Sequence, residues 1–113
     1  MAKALFLAWS NPVDEASEGE FNTWYEGTHV PQVRAAIPAI TAVHRYTLAD
    51  VPGSVGAQPG ARYLAVYEMD TDDVAGAAAA LGAAMAGGKM DLTTTMDTTS
   101  NPPVLQWYRG VAG

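Results

Sequence analysis

With 113 residues the chain holds a single domain, 1–113, and no second fold. Apolar residues make up 49% and charged ones only 16%, against about 25% charged in an average soluble domain, which excludes a disordered chain and leaves more apolar surface than a small monomer hides. Asp and Glu number 12 against 6 Lys and Arg, a net charge of −6 that disfavours nucleic acid and anionic membrane as partners, and the lack of cysteine excludes disulfide frameworks, thiolate nucleophiles and iron–sulfur clusters.

The apolar run from Ala4 to Trp9 stops at the turn formers Ser10, Asn11 and Pro12. It is too short for a signal or membrane-spanning segment and reads as a first strand buried on both faces, so the expected location is the cytoplasm. Ser17-Glu18-Gly19-Glu20 has the spacing of a capping box and predicts a helix carrying Phe21, Trp24 and Tyr25. Pro31 lacks an N–H and crowds the carbonyl of Gly27, which predicts a break or kink near Gly27 and Thr28 and a short helical restart through Val33 and Ala36.

Ile40 to Leu48 reads as a second strand, with Ala42, His44, Tyr46 and Leu48 on one face and Val43 and Arg45 on the other. Residues 51–60, rich in Gly and Pro, make a long and mobile hairpin loop. Tyr63 to Met69 forms a third strand, apolar on both parities except at Glu68, and Arg45 and Glu68 are placed to form a cross-strand pair. Thr71 caps a second helix in which Val74, Ala78, Leu81 and Met85 recur at helical spacing and which ends at Gly87 and Gly88. Met90 to Pro103 is polar, Thr-rich and without period, and Val104 to Tyr108 gives the last strand.

The order βαββαβ predicts a ferredoxin-like α+β fold, an antiparallel four-stranded sheet with both helices on one face. The other face of such doubly apolar strands needs a cover, and the simplest is a second copy, giving a homodimer through the open sheet face: a dimeric α/β barrel.

Residues 22–31 hold the densest set of chemical groups, with Tyr25 and His29 one turn apart, Phe21 on the same line and Trp24 beside it. An imidazole titrating near neutrality beside a phenol, walled by indole, suits proton transfer on an apolar substrate; the competing reading is a histidine that caps a nearby carbonyl. His44 shares a strand face with Tyr46, and the aromatic set Trp9, Tyr67 and Trp107 serves either as core or as pocket wall. Asn22 reads as a surface amide of the helix. The two histidines fall on different elements and no HExxH, GxSxG or phosphate-loop pattern occurs, so no metal site and no cofactor are expected.

The run Asn22-Thr23-Trp24-Tyr25-Glu26-Gly27-Thr28-His29-Val30-Pro31, followed by Ile37-Pro38-Ala39-Ile40 and His44-Arg45-Tyr46, resembles the EthD-like branch of the dimeric α/β-barrel superfamily. The likeness is carried by the first two thirds of the chain, and beyond them by element order alone. It implies a fold shared with methylmuconolactone isomerases, small aromatic polyketide cyclases and cofactor-free quinone-forming monooxygenases, with a pocket between sheet and helices. Its motif histidine falls on His29, its Trp-Tyr pair on Trp24 and Tyr25, and the tyrosine ending its second-strand motif on Tyr46.

Residues and resemblance together give the expectation of a cofactor-independent enzyme doing acid/base chemistry, of cyclase, isomerase or dehydratase type, on an apolar oxygenated small molecule such as a polyketide, lactone or phenolic. In that reading His29 is the acid/base, Tyr25 or Tyr46 donates to a substrate oxygen, and Trp24, Trp9, Phe21, His44, Tyr67 and Trp107 contact substrate. Three alternatives stay open at this point: a cofactor-free monooxygenase, a haem-binding protein with His29 as axial ligand, and a non-catalytic small-molecule binder.

Overall fold

The computed structural model describes residues 2–49, 51–53 and 61–111. In chain order these form β1 (Lys3–Ser10), α1 (Glu18–Trp24), a π-helical turn (Tyr25–His29), α2 (Val30–Ala36), β2 (Ile40–Thr47), β3 (Tyr63–Asp70), α3 (Val74–Ala86) and β4 (Val104–Arg109). The strands make one sheet in the order β2-β3-β1-β4, every neighbour antiparallel, with the helices on one face. This is the ferredoxin-like α+β fold that the element order predicts. Residues 54–60 of the segment expected as a mobile loop lie outside the described residues.

Register assigns the strand residues to two faces. Phe6 stands opposite both Tyr67 and Trp107, and Val43 and Arg45 stand opposite Tyr67 and Ala65, so these share the helix-covered side. Ala4, Phe6, Ala8, Ala65, Tyr67 and Met69 are buried there against Phe21, Tyr25, Val33 and Leu81. Leu5, Leu7, Trp9, His44, Tyr46, Leu64, Val66 and Glu68 alternate with them and form the open side, apolar at its centre and half-buried or exposed throughout.

Local chemistry moves several boundaries. Ser17 makes no side-chain cap; instead its backbone N–H donates to Asp14 Oδ1 at 2.8 Å, because an Asp three residues upstream closes the same turn. At Gly27 and Thr28, where a break or kink is expected, the helix is irregular but stays continuous. The chain widens into the π-helical turn, where the Val30 N–H reaches back to the Tyr25 carbonyl, so a residue without an N–H is absorbed while the helix runs on into α2.

The cap of α3 is Asp73, whose Oδ1 accepts from the Gly76 N–H at 2.9 Å; Thr71 accepts from the Asp73 N–H one step earlier. The buried stripe of α3 is Val74, Ala77, Leu81 and Ala84, and Met85 is 55% exposed, because the helix lies on the sheet through its small residues. Between α3 and β4, the carboxylate of Asp97 accepts the backbone N–H groups of Thr99, Ser100 and Asn101, which holds it below the usual carboxylate range and orders the approach to β4.

Candidate functional site

The π-helical turn sets Tyr25 and His29 together on the sheet-facing side of the helical layer. The His29 ring stacks on Trp24 (centroids 4.7 Å, planes 21° apart) and meets Tyr25 edge-on (4.8 Å, 72°). Tyr25 is 2% exposed and its hydroxyl is flanked by those of Tyr67 and Ser10. Burial raises the Tyr25 hydroxyl above the ordinary phenol value, and Tyr67 likewise, so both stay protonated donors at neutral pH.

Arg45 enters the same layer from β2. Its guanidinium lies 4.3 Å from the centre of the Tyr25 ring, with Phe21 and Tyr63 at its edges. Nη1 donates to Glu26 Oε2 at 3.0 Å and Nη2 to Asn22 Oδ1 at 2.9 Å; the Asn22 amide donates in turn to the Tyr63 hydroxyl at 3.1 Å, and that hydroxyl donates to Glu18, which also pairs with Arg62. Arg45 therefore does not pair with Glu68, as the sequence pattern suggested: strand parity sends the two to opposite faces, and Glu68 pairs with His44 at 2.8 Å on the open side. Nor is Asn22 a free surface amide, since it bridges α1 to β2 and β3.

Burial lowers the His29 pKa from 6.5 to about 4, with the positive charge of Arg45 adding to the effect. The expectation of an imidazole titrating near neutrality is corrected accordingly: His29 is a neutral ring at pH 7, ready to accept a proton. Among the described residues, four buried side-chain atoms close no regular hydrogen bond, namely Trp24 Nε1, His29 Nδ1, Arg45 Nε and the Tyr67 hydroxyl, the last lying beside the Tyr25 hydroxyl. All four belong to residues packed around Tyr25. An unpaired buried polar group costs about 1–3 kcal/mol, so a cluster of four is not neutral packing.

A cavity of about 110 Å³ opens beside this cluster, lined by Phe6, Ser10, Tyr25, His29, Val33 and Leu81. Its rim is formed by Met85 of α3 and Leu105 of β4, which remain 55% and 41% exposed. Larger and more open grooves of about 430, 510 and 450 Å³ occur elsewhere, including one along Lys3, Leu5, Thr41, Glu68 and Tyr108, but they hold no buried titratable group.

The expected site residues thus divide. His29, Tyr25 and Trp24 come together, with Tyr67 beside them; Phe21 is fully buried under Tyr25 and Tyr63, and Trp107 stacks on Phe6 at 4.1 Å, so both support the site from within the core. Tyr46 and His44 lie on the opposite side of the sheet, where Tyr46 is 54% exposed, and neither approaches His29. Trp9 belongs to the open face by register and borders the cavity at the end of β1. Sequence reasoning missed Arg45 and Ser10. The signal for Arg45 was present, since it shares a parity with the apolar Val43, and a charge on the covered face of a strand needs a partner on the helices.

The model of the EthD domain family matches residues 14–97. Among solved structures, an EthD family protein of Bacillus halodurans superposes with a TM-score of 0.52 at 18% identity, covering 95% of this chain and 96% of that one. An EthD-like protein of Ralstonia eutropha gives 0.54 at 20% identity over 95% and 91% of the two chains. A dimeric ferredoxin-like protein of Jannaschia sp. gives 0.56 at 12% identity over 93% and 96%. No curated protein sequence matches the chain. No described helix is long and apolar enough to cross a membrane, and no cluster of three or more His, Cys, Asp or Glu able to hold a metal occurs among the described residues.

Proposed function

The chain belongs to the EthD domain family, and on that premise we propose that it is a homodimeric enzyme that moves a proton on a small, largely apolar, oxygenated molecule bound under the helices. The observation that carries this reading is the cluster of four unpartnered polar atoms packed around Tyr25, beside a cavity that His29 lines. Of these groups His29 lines the cavity, where a ligand can complete it, and Trp24, Arg45 and Tyr67 stand behind it and Tyr25.

In this reading His29 takes a proton from carbon. A base whose conjugate acid has a pKa of about 4 is fully available at neutral pH but weak, so the bond it breaks is an activated one, such as C–H between a carbonyl and a second unsaturated group. As negative charge grows on the substrate oxygen, the adjacent imidazolium is stabilised and the hydroxyl of Tyr25 donates to that oxygen, with the Tyr67 hydroxyl behind it. Returning the proton to a different carbon completes an isomerisation; giving it instead to a β-hydroxyl, which leaves as water while the carbanion's electron pair forms the C=C bond, completes a dehydration.

The cavity limits what enters. An engineered apolar cavity of about 150 Å³ holds one benzene, so about 110 Å³ accepts a single small ring, or the end of a longer molecule that leaves between Met85 and Leu105. A haem ligated by His29 does not fit this space, being several times larger, with Phe6, Val33 and Leu81 closing the walls. Homodimerisation is supported by the apolar centre of the open face, which a second copy of the same sheet would cover.

The test is deuterium exchange at carbon. Five-membered unsaturated lactones and cyclic 1,3-diketones, incubated with the protein in D2O, should incorporate deuterium at the activated carbon, read by NMR. His29→Ala should slow this by about 10²-fold or more, and Tyr46→Phe should leave it unchanged. Saturable binding with no exchange in any of these compounds would make the protein a binder rather than an enzyme.

A further inference from the structure

The four unpartnered groups are not balanced between donors and acceptors. Trp24 Nε1 and Arg45 Nε can only donate, the Tyr67 hydroxyl and His29 Nδ1 can do either, and none is a carboxylate oxygen. Charge is equally one-sided. The Arg45 side chain is 13% exposed, whereas its partner Glu26 is 69% exposed and screened by solvent. Among the described residues the other carboxylates near the layer are engaged or turned away: Glu18 is held by Tyr63 and Arg62, Asp97 by its own loop, and Glu68 lies with His44 beyond the sheet. The guanidinium is seated on Tyr25, whose edge meets His29 and whose hydroxyl meets Ser10 and Tyr67, so one aromatic ring separates a buried positive charge from the cavity.

Resting on the reading that this cavity is a ligand site, we propose that it selects ligands whose oxygen is already an anion or becomes one during reaction, a phenolate, enolate or carboxylate on a single ring or short chain, and that Arg45 is the residue that sets this preference. Asn22 and Glu26 fix the guanidinium in place, so the field exists before the ligand arrives and needs no rearrangement when charge appears. Two charges separated by about one ring in a partly buried layer interact strongly enough to favour the anion by about tenfold.

The probe is 4-nitrophenol, a single-ring phenol that titrates near neutrality and turns yellow as its anion, with 4-nitroanisole as its uncharged counterpart. On the wild-type protein the bound phenol should ionise about one pH unit lower than in water, and the anion should bind about tenfold more tightly than 4-nitroanisole. Arg45→Gln should abolish both effects while 4-nitroanisole still binds; Arg45→Lys should restore part of the shift, because it returns the charge without the fixed fork. An unshifted or raised ionisation of the bound phenol, with both compounds bound equally, would overturn the charge preference and leave the pocket standing. Binding of neither compound would overturn the proposed function and this inference together. Should Arg45→Gln fail to fold, the comparison of the two compounds on the wild-type protein decides alone.

Discussion

The two faces of this sheet are built from the same four strands, residue by residue in alternation, yet they do different work. On the covered face the apolar positions Phe6, Ala65 and Tyr67 pack under helices that bring in His29, Tyr25 and Trp24, and Arg45 rises among them with its charge almost fully enclosed. On the open face the apolar positions Leu5, Leu7, Leu64 and Val66 are half-buried with no helix over them, and the polar pair His44 and Glu68 is half exposed and satisfied. Hydrophobicity alone does not separate the faces. What separates them is the state of the polar groups, left incomplete on one side and complete on the other, and incompleteness points to the side that a ligand finishes.

The difference can be broken or sharpened by experiment. The largest effect belongs to His29. Its folded pKa of about 4 lies below the usual 6.5, so the unfolded chain takes up this proton first on acidification; the contribution to stability is full above about pH 6.5 and is lost as pH falls toward 4. Denaturant unfolding at pH 7 and pH 4 should show this component, about 3 kcal/mol, in the wild type and its absence in His29→Gln. Equal acid sensitivity of the two proteins would place His29 in water.

Next comes the open face. Val66→Asp sets a charge at the centre of the apolar patch and should raise the dimer dissociation constant about 30-fold or more, seen by sedimentation, with the circular dichroism of the protomer unchanged. A dimer indifferent to this change would mean that something other than a second copy covers the sheet. The smallest effect has the opposite sign. Tyr67→Phe removes a buried hydroxyl that lies beside the Tyr25 hydroxyl without closing a regular hydrogen bond, so it should stabilise the fold by about 1 kcal/mol while weakening the binding of an oxygenated ring. Loss of stability on that change would show that the hydroxyl is satisfied in the folded protomer.

Much of this was legible from residue order. The strands, the helices and the sheet topology follow from apolar periodicity punctuated by Pro12, Pro38 and Gly87, and the density of Trp24, Tyr25 and His29 on one helix points to the candidate site. The side of the sheet on which His44, Tyr46 and Trp9 stand was not legible, because both parities are apolar and only pairing with β3 and β1 assigns the face. That Pro31 disturbs the helix near Gly27 and Thr28 is legible in the sequence, but the form of the disturbance is not, since a missing N–H can end, kink or widen a helix, and here it widens into the π-helical turn. The buried charge of Arg45 depends on Asn22 and Glu26 arriving from α1 and the π-helical turn, a meeting that no local pattern contains.

The most direct test of which face carries the chemistry is NMR of the two histidine rings, the Trp24 indole and the Tyr46 ring while a single-ring phenol is titrated into the protein. The His29 and Trp24 signals should move together and saturate, with His44 and Tyr46 unmoved; saturable movement of His44 and Tyr46 while His29 stays still would place the site on the open face and contradict the assignment made from the covered one.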